Sequence, residues 1–185
     1  MGMVPFGENP ERSRKGVYRI SDNCFRFWYR YVFMNRTGVE SGIGEELADS
    51  QVFPGLPAFV GKPAFEEICM QYLIRRNKEK ALPFLATNFG VWWGTDPTAK
   101  ANADIDIVAD NKAERRILMC ECKWKNEATE AADLEKLCAK AHLIPGYEDY
   151  RFMFFSKSPY SASARRMAQE NGRLDLATLD MLFDI

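Results

Sequence analysis

Two apolar segments that carry acidic residues at fixed positions constrain the fold of this chain most strongly. ADIDIVA, residues 103–109, is short and rich in β-branched residues, whereas RRILMCECKW, residues 115–124, is an apolar run that ends in charge. Both patterns predict β-strands. Because only a few residues separate the two segments, we expect them to form neighbouring strands of one sheet.

Side chains alternate between the two faces of a strand. Glu121 and Lys123 are therefore predicted to share one face, with Cys122 on the other. By the same rule, Asp104 and Asp106 are predicted to share a face. If the strands form a hairpin, a carboxylate from each can converge on one cation beside an ammonium, and oxygen ligands of this kind suit a hard cation such as Mg²⁺. The alternative is that these charges are only the solvated ends of strands.

The amino-acid composition limits the class of protein to which this chain can belong. At 46% apolar residues the chain can bury a full core, and its net charge of -1 provides no overall attraction to nucleic acid. Any nucleic-acid binding must therefore come from a local patch. Five cysteines without metal-ligand spacing, and His142 as the sole histidine, argue against a zinc site and are typical of a reducing cytoplasm. We interpret His142 as a partly buried structural residue.

No apolar run reaches the length of a membrane span, and no signal peptide opens the sequence. We therefore expect a cytoplasmic protein without a membrane partner.

The N-terminal region predicts an aromatic helix. Ser21 or Asp22 can cap a helix that runs to about Met34 and that carries aromatic side chains on a broad face. Arginines lie on its other side. This helix is interpreted as a packing element between domains, with a nucleic-acid platform as the alternative. We expect the aromatic face to pack on the C-terminal part of the chain or on a second copy of the protein.

The Pro-Gly-Leu-Pro cluster at 54–57 is a breaker that places a domain boundary near residue 55. The first part, 1–54, is then an appendage, and 55–185 is the main domain. The periodicity of the main domain predicts a succession of elements: a helix over about 59–76, strands at 82–87, 90–93, 105–109 and 116–122, a helix over about 127–144, a strand at 151–155, a helix over 161–171, and a last short strand or helix at 177–183.

Several motifs together resemble a known superfamily. GKPAFEEICMQYL, VWWG, ADIDIVA and CECKW follow one another in the order of the PD-(D/E)XK nucleases, which have the restriction-endonuclease-like fold. The same motifs look more closely like a family of uncharacterised domains at the C-terminus of archaeal-type ATPases of the AAA/STAND kind. The stretch at 4–36 is similar to the end of the winged-helix region that precedes that domain. Because the chain opens within this motif, we expect a longer parent protein.

The resemblance implies a three-layer α/β/α fold with a mixed central sheet, preceded by an N-terminal helical segment. It also implies a site. Glu66 directly follows the phenylalanine of the first motif, Asp106 matches the aspartate of the second, and Glu121 and Lys123 match the third. The three acids are then expected to hold Mg²⁺ or Mn²⁺, and the lysine to assist an attacking water.

Three further residues are candidates for auxiliary roles. Asp104 stands where the family pattern has Glu, so the acidic character is kept, and it is a candidate extra ligand. Trp93 is a candidate for stacking on a base. Lys136, with Lys140 four residues later, is a candidate phosphate contact, although a solvated helix face explains the same pattern.

A phosphate-binding loop is excluded from this chain. The spacing from Gly55 to Gly61 and Lys62 is one residue too long, and Pro63 replaces the hydroxyl residue that would contact Mg²⁺. The ATPase activity of the resembled proteins therefore lies outside it.

The expected function is that of a metal-dependent nuclease-like domain acting on nucleic-acid phosphodiesters, with DNA as the favoured partner. The parent's own ATPase domain is an expected partner, and a homo-oligomer is compatible with the aromatic face. The alternatives are a catalytically silent DNA-binding or regulatory module and a protein-docking module. The sequence leaves the choice between DNA and RNA open, together with any dependence on ATP hydrolysis.

Overall fold

The structure is a computed structural model that describes residues 2–183. Its strands are β1 Gly2–Met3, β2 Val17–Tyr18, β3 Asn88–Asp96, β4 Ala101–Asn111, β5 Arg116–Lys123, β6 Asp149–Ser156 and β7 Leu174–Thr178. Its α-helices are α1 Asn23–Phe27, α2 Arg36–Glu40, α3 Gly44–Leu47, α4 Phe53–Phe59, α5 Phe65–Lys78, α6 Ala131–Ala139 and α7 Ala162–Glu170. Short turns of tighter or wider helix join several of these segments.

Five strands form one mixed sheet in the order β3-β4-β5-β6-β7. The neighbours β3, β4 and β5 are antiparallel, as expected for strands joined by short turns, whereas β5, β6 and β7 are parallel. Parallel neighbours need a crossover connection, which α6 and α7 provide. The predicted mixed sheet is thereby confirmed.

Helices cover both faces of this sheet. On one face α5 packs through Phe65 and Leu73 against Leu118 and Phe155. On the other face α6 and α7 pack against a second cluster, to which α6 contributes Leu134. The strands are apolar on both sides because both sides are covered. The predicted three-layer α/β/α fold is confirmed.

The element order that the sequence predicted is also confirmed, with shifted ends. The helix predicted over 127–144 is shorter, and the 177–183 segment divides into β7 and a short helical turn at Asp180–Leu182. The strand predicted at 82–87 is wrong, because this stretch has no strand pairing. Its Ala86 instead exchanges hydrogen bonds with the side chain of Asn77 on α5.

The predicted N-terminal helical segment is present, and Asp22 caps α1 by accepting a hydrogen bond from Phe25 N. The loop between β1 and β2, which precedes this segment, is joined to the edge of the main sheet, where Phe6 N donates to Val91 O at 2.8 Å. Residue 55 lies inside α4, so the breaker cluster does not interrupt the helical course there. The division at 54/55 stays a prediction, and its outermost residues, Met1, Asp184 and Ile185, lie outside the described part.

Three aromatic side chains of the N-terminal helical run are exposed to solvent. Phe25 is 62% exposed, Trp28 41% and Tyr29 49%. The expectation that these three side chains pack on the C-terminal part of the chain is therefore wrong. Tyr31 of the same helical run is buried instead and packs against Phe59.

Candidate functional site

A β-bulge in β4 sets the direction of Asp106. Between two paired positions, β3 advances from Gly90 to Trp92, whereas β4 advances from Val108 to Ile105 and so contains one extra residue. As a result, Ile105 packs in the cluster on the α6/α7 face, while Ile107 packs in the cluster on the α5 face. Simple alternation along the strand would put both isoleucines on one face, and the extra residue breaks it here. Bulges of this kind re-aim side chains.

The Asp106 side chain is anchored by the neighbouring strand. Its Oδ2 accepts a hydrogen bond from Cys122 N at 2.8 Å. The paired register of β4 and β5 ends at Ile107 and Cys120, so this carboxylate takes up a backbone donor just past the end of the ladder. Asp106 is only 6% exposed.

Strand β5 follows the predicted alternation. Cys122 packs in the cluster on the α5 face, and Glu121 points to the other side, where it meets Lys140 from the turn after α6. Lys140 Nζ lies 2.8 Å from Glu121 Oε2 and donates a second bond to Asp104 O. Lys123 donates to the other carboxylate oxygen of Glu121.

Glu66 enters the site from the first turn of α5. Phe65, directly before it, is fully buried under the sheet, and this anchors the helix so that Glu66 faces the strands. Its neighbour Glu67 points elsewhere and pairs with Arg19 at 3.1 Å. The sequence argument that only one of the two glutamates can face the sheet agrees with this arrangement.

One ammonium lies among three of the acids. Lys62 Nζ is 3.2 Å from Glu66 Oε1, 3.1 Å from Asp104 Oδ2 and 3.6 Å from Asp106 Oδ1. The four acids therefore divide between two groups of lysines. Lys62 contacts Glu66, Asp104 and Asp106, whereas Lys123 and Lys140 contact Glu121.

The surroundings shift the pKa values of these acids in different directions. Burial, together with the charge of Asp106, raises the pKa of Glu66 from its ordinary 4.5 to about 7, against the opposing effect of Lys62. Burial and the nearby charge of Glu121 also raise the pKa of Asp106. The pKa of Asp104 is lowered, because the hydrogen bond and charge of Lys62 outweigh its partial burial. Crowded, buried carboxylates resist ionisation.

The lysines stay charged in these surroundings. Burial disfavours the charge of Lys62, but Glu66 and Asp106 outweigh that effect and raise its pKa. The same balance, with Glu121 as the main partner, raises the pKa of Lys123.

The three candidates for auxiliary roles lie in different places relative to the cluster. Asp104 is part of the cluster. Trp93 is half-buried and pairs with Asp104 across the β3–β4 ladder, while its neighbour Trp92 packs into the core. Lys136 is exposed on α6, where its charge acts on Asp133. Of Lys136 and Lys140, it is Lys140 that contacts the acidic cluster.

Two residues that the sequence interpretation did not place in the site are Lys62 and Lys140. Lys62 precedes Glu66 by four residues, but its extended backbone means that the contact is not the helical pairing that this spacing suggests. For Lys140, the only signal in the sequence was its spacing of four residues from Lys136. That spacing predicts a shared helix face, but it does not show how close α6 lies to the end of β5.

The donor set suits a hard cation. Carboxylate oxygens are the ligands that Mg²⁺ and Mn²⁺ prefer, and three of them already surround one positive centre, Lys62 Nζ. In the described conformation, no three histidine, cysteine or acidic side chains of residues 2–183 are arranged to hold a metal ion themselves. A metal would thus require the ammonium groups and the carboxylates to rearrange.

Comparison with known proteins gives the family. The model of DUF234, described as archaea bacterial proteins of unknown function, matches residues 28–136. An uncharacterized protein of Methanocaldococcus jannaschii, MJECL04, is 34% identical in an alignment of 146 positions, which covers 75% of this chain and 30% of that protein. The chain belongs to this uncharacterised family, and it spans about a third of the length of the curated relative it matches.

Several solved structures are similar at lower identity. A protein of unknown function, AF1548, is 18% identical, with a TM-score of 0.39 over 63% of this chain and 65% of that one. A repair endonuclease from Pyrococcus abyssi is 14% identical, with a TM-score of 0.38 over 62% and 46%. The MspJI restriction endonuclease in complex with a 27-mer oligonucleotide is 10% identical, with a TM-score of 0.40 over 74% and 30%.

None of the helices in residues 2–183 combines the length and the apolar character that crossing a membrane would require.

Proposed function

We propose that this chain is a metal-dependent nuclease-like domain that acts on nucleic-acid phosphodiesters, with DNA as the favoured substrate. One observation carries the proposal. Glu66 from α5 and Asp106 from β4 converge on the ammonium of Lys62. Asp106 is also close enough to Glu121 of β5 for their charges to interact, and Glu121 pairs with Lys123.

Glu66, Asp106 and Glu121, with Asp104 at the exposed rim, would hold Mg²⁺ or Mn²⁺. A bound divalent cation supplies Lewis-acid polarisation of a phosphodiester and lowers the pKa of a water. Lys123 is the group that would orient the water or stabilise developing charge, because its ammonium is charged and lies beside Glu121. Burial of the acids limits competing water and strengthens each electrostatic contact.

The parent protein is proposed to be a multidomain ATPase, with this domain in its C-terminal part and the ATPase domain as a partner. The motif order and the aromatic stretch at 26–33 support this context.

A silent regulatory module is the second candidate, and a specific observation favours it. In the described conformation every acid of the cluster contacts a lysine, so most of its negative charge is neutralised without a metal. The near-neutral net charge of -1 points the same way. Activity assays distinguish the two candidates.

The test is cleavage of single-stranded, duplex and branched DNA with Mg²⁺ or Mn²⁺. Glu121→Gln should abolish cleavage and leave folding intact, because it removes a ligand charge but keeps the shape of the side chain. Lys123→Ala should slow turnover by roughly 10²–10⁴-fold and leave metal binding in place. Lys125→Ala is the matched control, since Lys125 pairs with Asp133 outside the cluster.

If the wild-type chain neither binds a divalent cation by calorimetry nor cleaves any of these substrates, the nuclease proposal fails. The silent module would then be the better description.

A further inference from the structure

Lys62 reaches the acids because the chain kinks just before α5. Lys62 has φ -145° and ψ 121°, which is extended backbone inside an otherwise helical course. The physical cause is Pro63, since the residue before a proline is disfavoured in the helical region. The extended residue directs the side chain away from the helical track and across to β4, where it meets Asp104 and Asp106.

The ammonium enters the cluster from the solvent side. The side chains of Glu66 and Asp106 are 11% and 8% exposed, whereas that of Lys62 is 64% exposed. A flexible, exposed stem thus carries a charge to two nearly buried carboxylates. A lysine placed in this way can leave the cluster without moving the backbone, because its four-carbon stem has several rotatable bonds.

Lys62 also differs from the other two lysines in what it neutralises. Lys123 and Lys140 both contact Glu121 and bring positive charge to one acid. Lys62 contacts three acids from two different elements, α5 and β4. Without a positive charge among them, these like charges would repel one another and the contact between α5 and β4 would weaken.

An ammonium at this point and a divalent cation bound by the same carboxylates exclude each other. Two positive charges a few ångströms apart repel, and both need the same oxygen atoms. A divalent cation therefore competes directly with Lys62 for Glu66, Asp104 and Asp106.

We propose that Lys62 is a tethered counter-ion, which holds Glu66, Asp104 and Asp106 together in the metal-free chain and withdraws when a divalent cation binds them. This inference rests on the proposed function in one respect, namely that these acids bind a metal. Lys62 thereby sets the metal concentration at which the site becomes competent. It is a positioning residue, since it acts through the acids.

The counter-ion has a signature that a purely structural lysine lacks. Removing the charge should destabilise the metal-free chain but strengthen metal binding. Lys62→Met keeps most of the apolar stem and removes the ammonium. We expect it to lower the melting temperature in EDTA and to bind Mn²⁺ about ten- to a hundredfold more tightly in calorimetry without nucleic acid.

Two variants control this experiment. Lys62→Arg keeps the charge and should leave the Mn²⁺ affinity close to that of the wild type. Lys125→Met removes a lysine that pairs with Asp133 outside the cluster, at a similar distance of 2.8 Å. It should not change the Mn²⁺ affinity.

A measurement on the wild-type chain covers the case in which Lys62→Met does not fold. Labelling with an amine-reactive reagent, followed by mass spectrometry, reports the accessibility of each lysine. Lys62 should react faster when Mn²⁺ is added, because its ammonium has left the carboxylates. Lys125 should react at the same rate with and without the metal.

The outcomes separate this inference from the proposed function. Tighter Mn²⁺ binding by Lys62→Met, or faster labelling of Lys62 with Mn²⁺, supports the counter-ion. Equal or weaker binding by a folded Lys62→Met, or Mn²⁺ binding with unchanged labelling, overturns the counter-ion and leaves the metal site standing. If neither the wild type nor the variant binds Mn²⁺, both proposals are overturned.

Discussion

The central strands and the N-terminal helical run are both rich in large apolar residues, but these side chains are buried in the strands and largely exposed in the helical run. In β4 and β5, Ile107, Leu118 and Met119 are fully buried. In the helical run, Phe25 and Tyr29 are 62% and 49% exposed. The strands lie between α5 on one face and α6 with α7 on the other, whereas the helical run is covered on one side only.

This difference separates a region whose apolar residues are covered on both sides from one whose aromatic rings stay exposed. Helices lie on both faces of the sheet and cover the apolar side chains of its strands. The exposed rings of the helical run instead contact one another in edge-on and tilted arrangements, which join Trp28, Tyr29 and Phe33. A contiguous apolar surface of this kind is typical of an interaction site. Pairing of this surface with a second copy stays a prediction.

The largest expected effect contrasts one phenylalanine from each region. Phe155→Ala should lower the free energy of unfolding by about 3–5 kcal/mol, because Phe155 is fully buried between the sheet and Tyr72 of α5. Phe25→Ala should change it by no more than about 0.5 kcal/mol, because most of that ring is in water. Urea denaturation measures both. An equal decrease in the free energy of unfolding for the two variants would contradict the difference in burial between the two regions.

A second prediction concerns the acids at the end of the strands. The pKa of Glu66 is raised to about 7 by burial and by Asp106, so the folded chain binds this proton more tightly than the unfolded chain does. The folded chain should therefore lose stability as the pH rises from about 4.5 through about 7. Glu66→Gln should remove this loss and raise stability at pH 8 by about 1–2 kcal/mol, allowing for solvent screening.

Thermal unfolding in EDTA at pH 5 and pH 8 measures this effect. Glu67→Gln is the matched control, because Glu67 lies beside Glu66 in sequence but pairs with Arg19. An unchanged pH dependence in Glu66→Gln would show that this carboxyl ionises normally in the folded chain.

A third prediction tests whether the N-terminal surface is an interface. Trp28→Ser should lower the free energy of unfolding by no more than about 1 kcal/mol, because Trp28 is 41% exposed and its ring contacts are with Tyr29 and Phe33 of the same surface. It should also weaken self-association in sedimentation equilibrium. A wild-type chain that stays monomeric at high concentration would remove the second copy as the partner of this surface.

The smallest expected effect is a local titration. His142 lies against Asp96, with 3.1 Å between Nε2 and Oδ1, and this hydrogen bond raises the pKa of the imidazole above its ordinary 6.5. The pair therefore contributes its stability below about pH 6.5, and this contribution is lost as the pH rises through the folded-state pKa. Asp96→Asn should return the pKa of His142 toward its ordinary value.

Because His142 is the sole histidine, its ring proton signals in NMR report this pKa directly. The residue was expected to be partly buried, but its side chain is 42% exposed. The position of His142 in the short helical turn after α6 explains this exposure, since its neighbour Leu143 takes the inward side.

The sequence predicted the features that depend on short-range periodicity. Alternation in RRILMCECKW placed Cys122 opposite Glu121, and the structure has them on opposite faces. Asp22 was a predicted cap and caps α1. These features are local, because strand alternation and helix capping involve residues only a few positions apart. The roles of Glu66, Asp106, Glu121 and Lys123 remain predictions.

Only the tertiary structure decided which groups meet at the end of the sheet. The extra residue in β4 re-aims Asp106, and it shows only in the register between β3 and β4. Lys62 and Lys140 reach the acids from segments about 40 residues upstream of Asp104 and 36 residues downstream of it. Their approach depends on how α5 and α6 pack on the sheet, which is a long-range property that no local pattern in the sequence encodes.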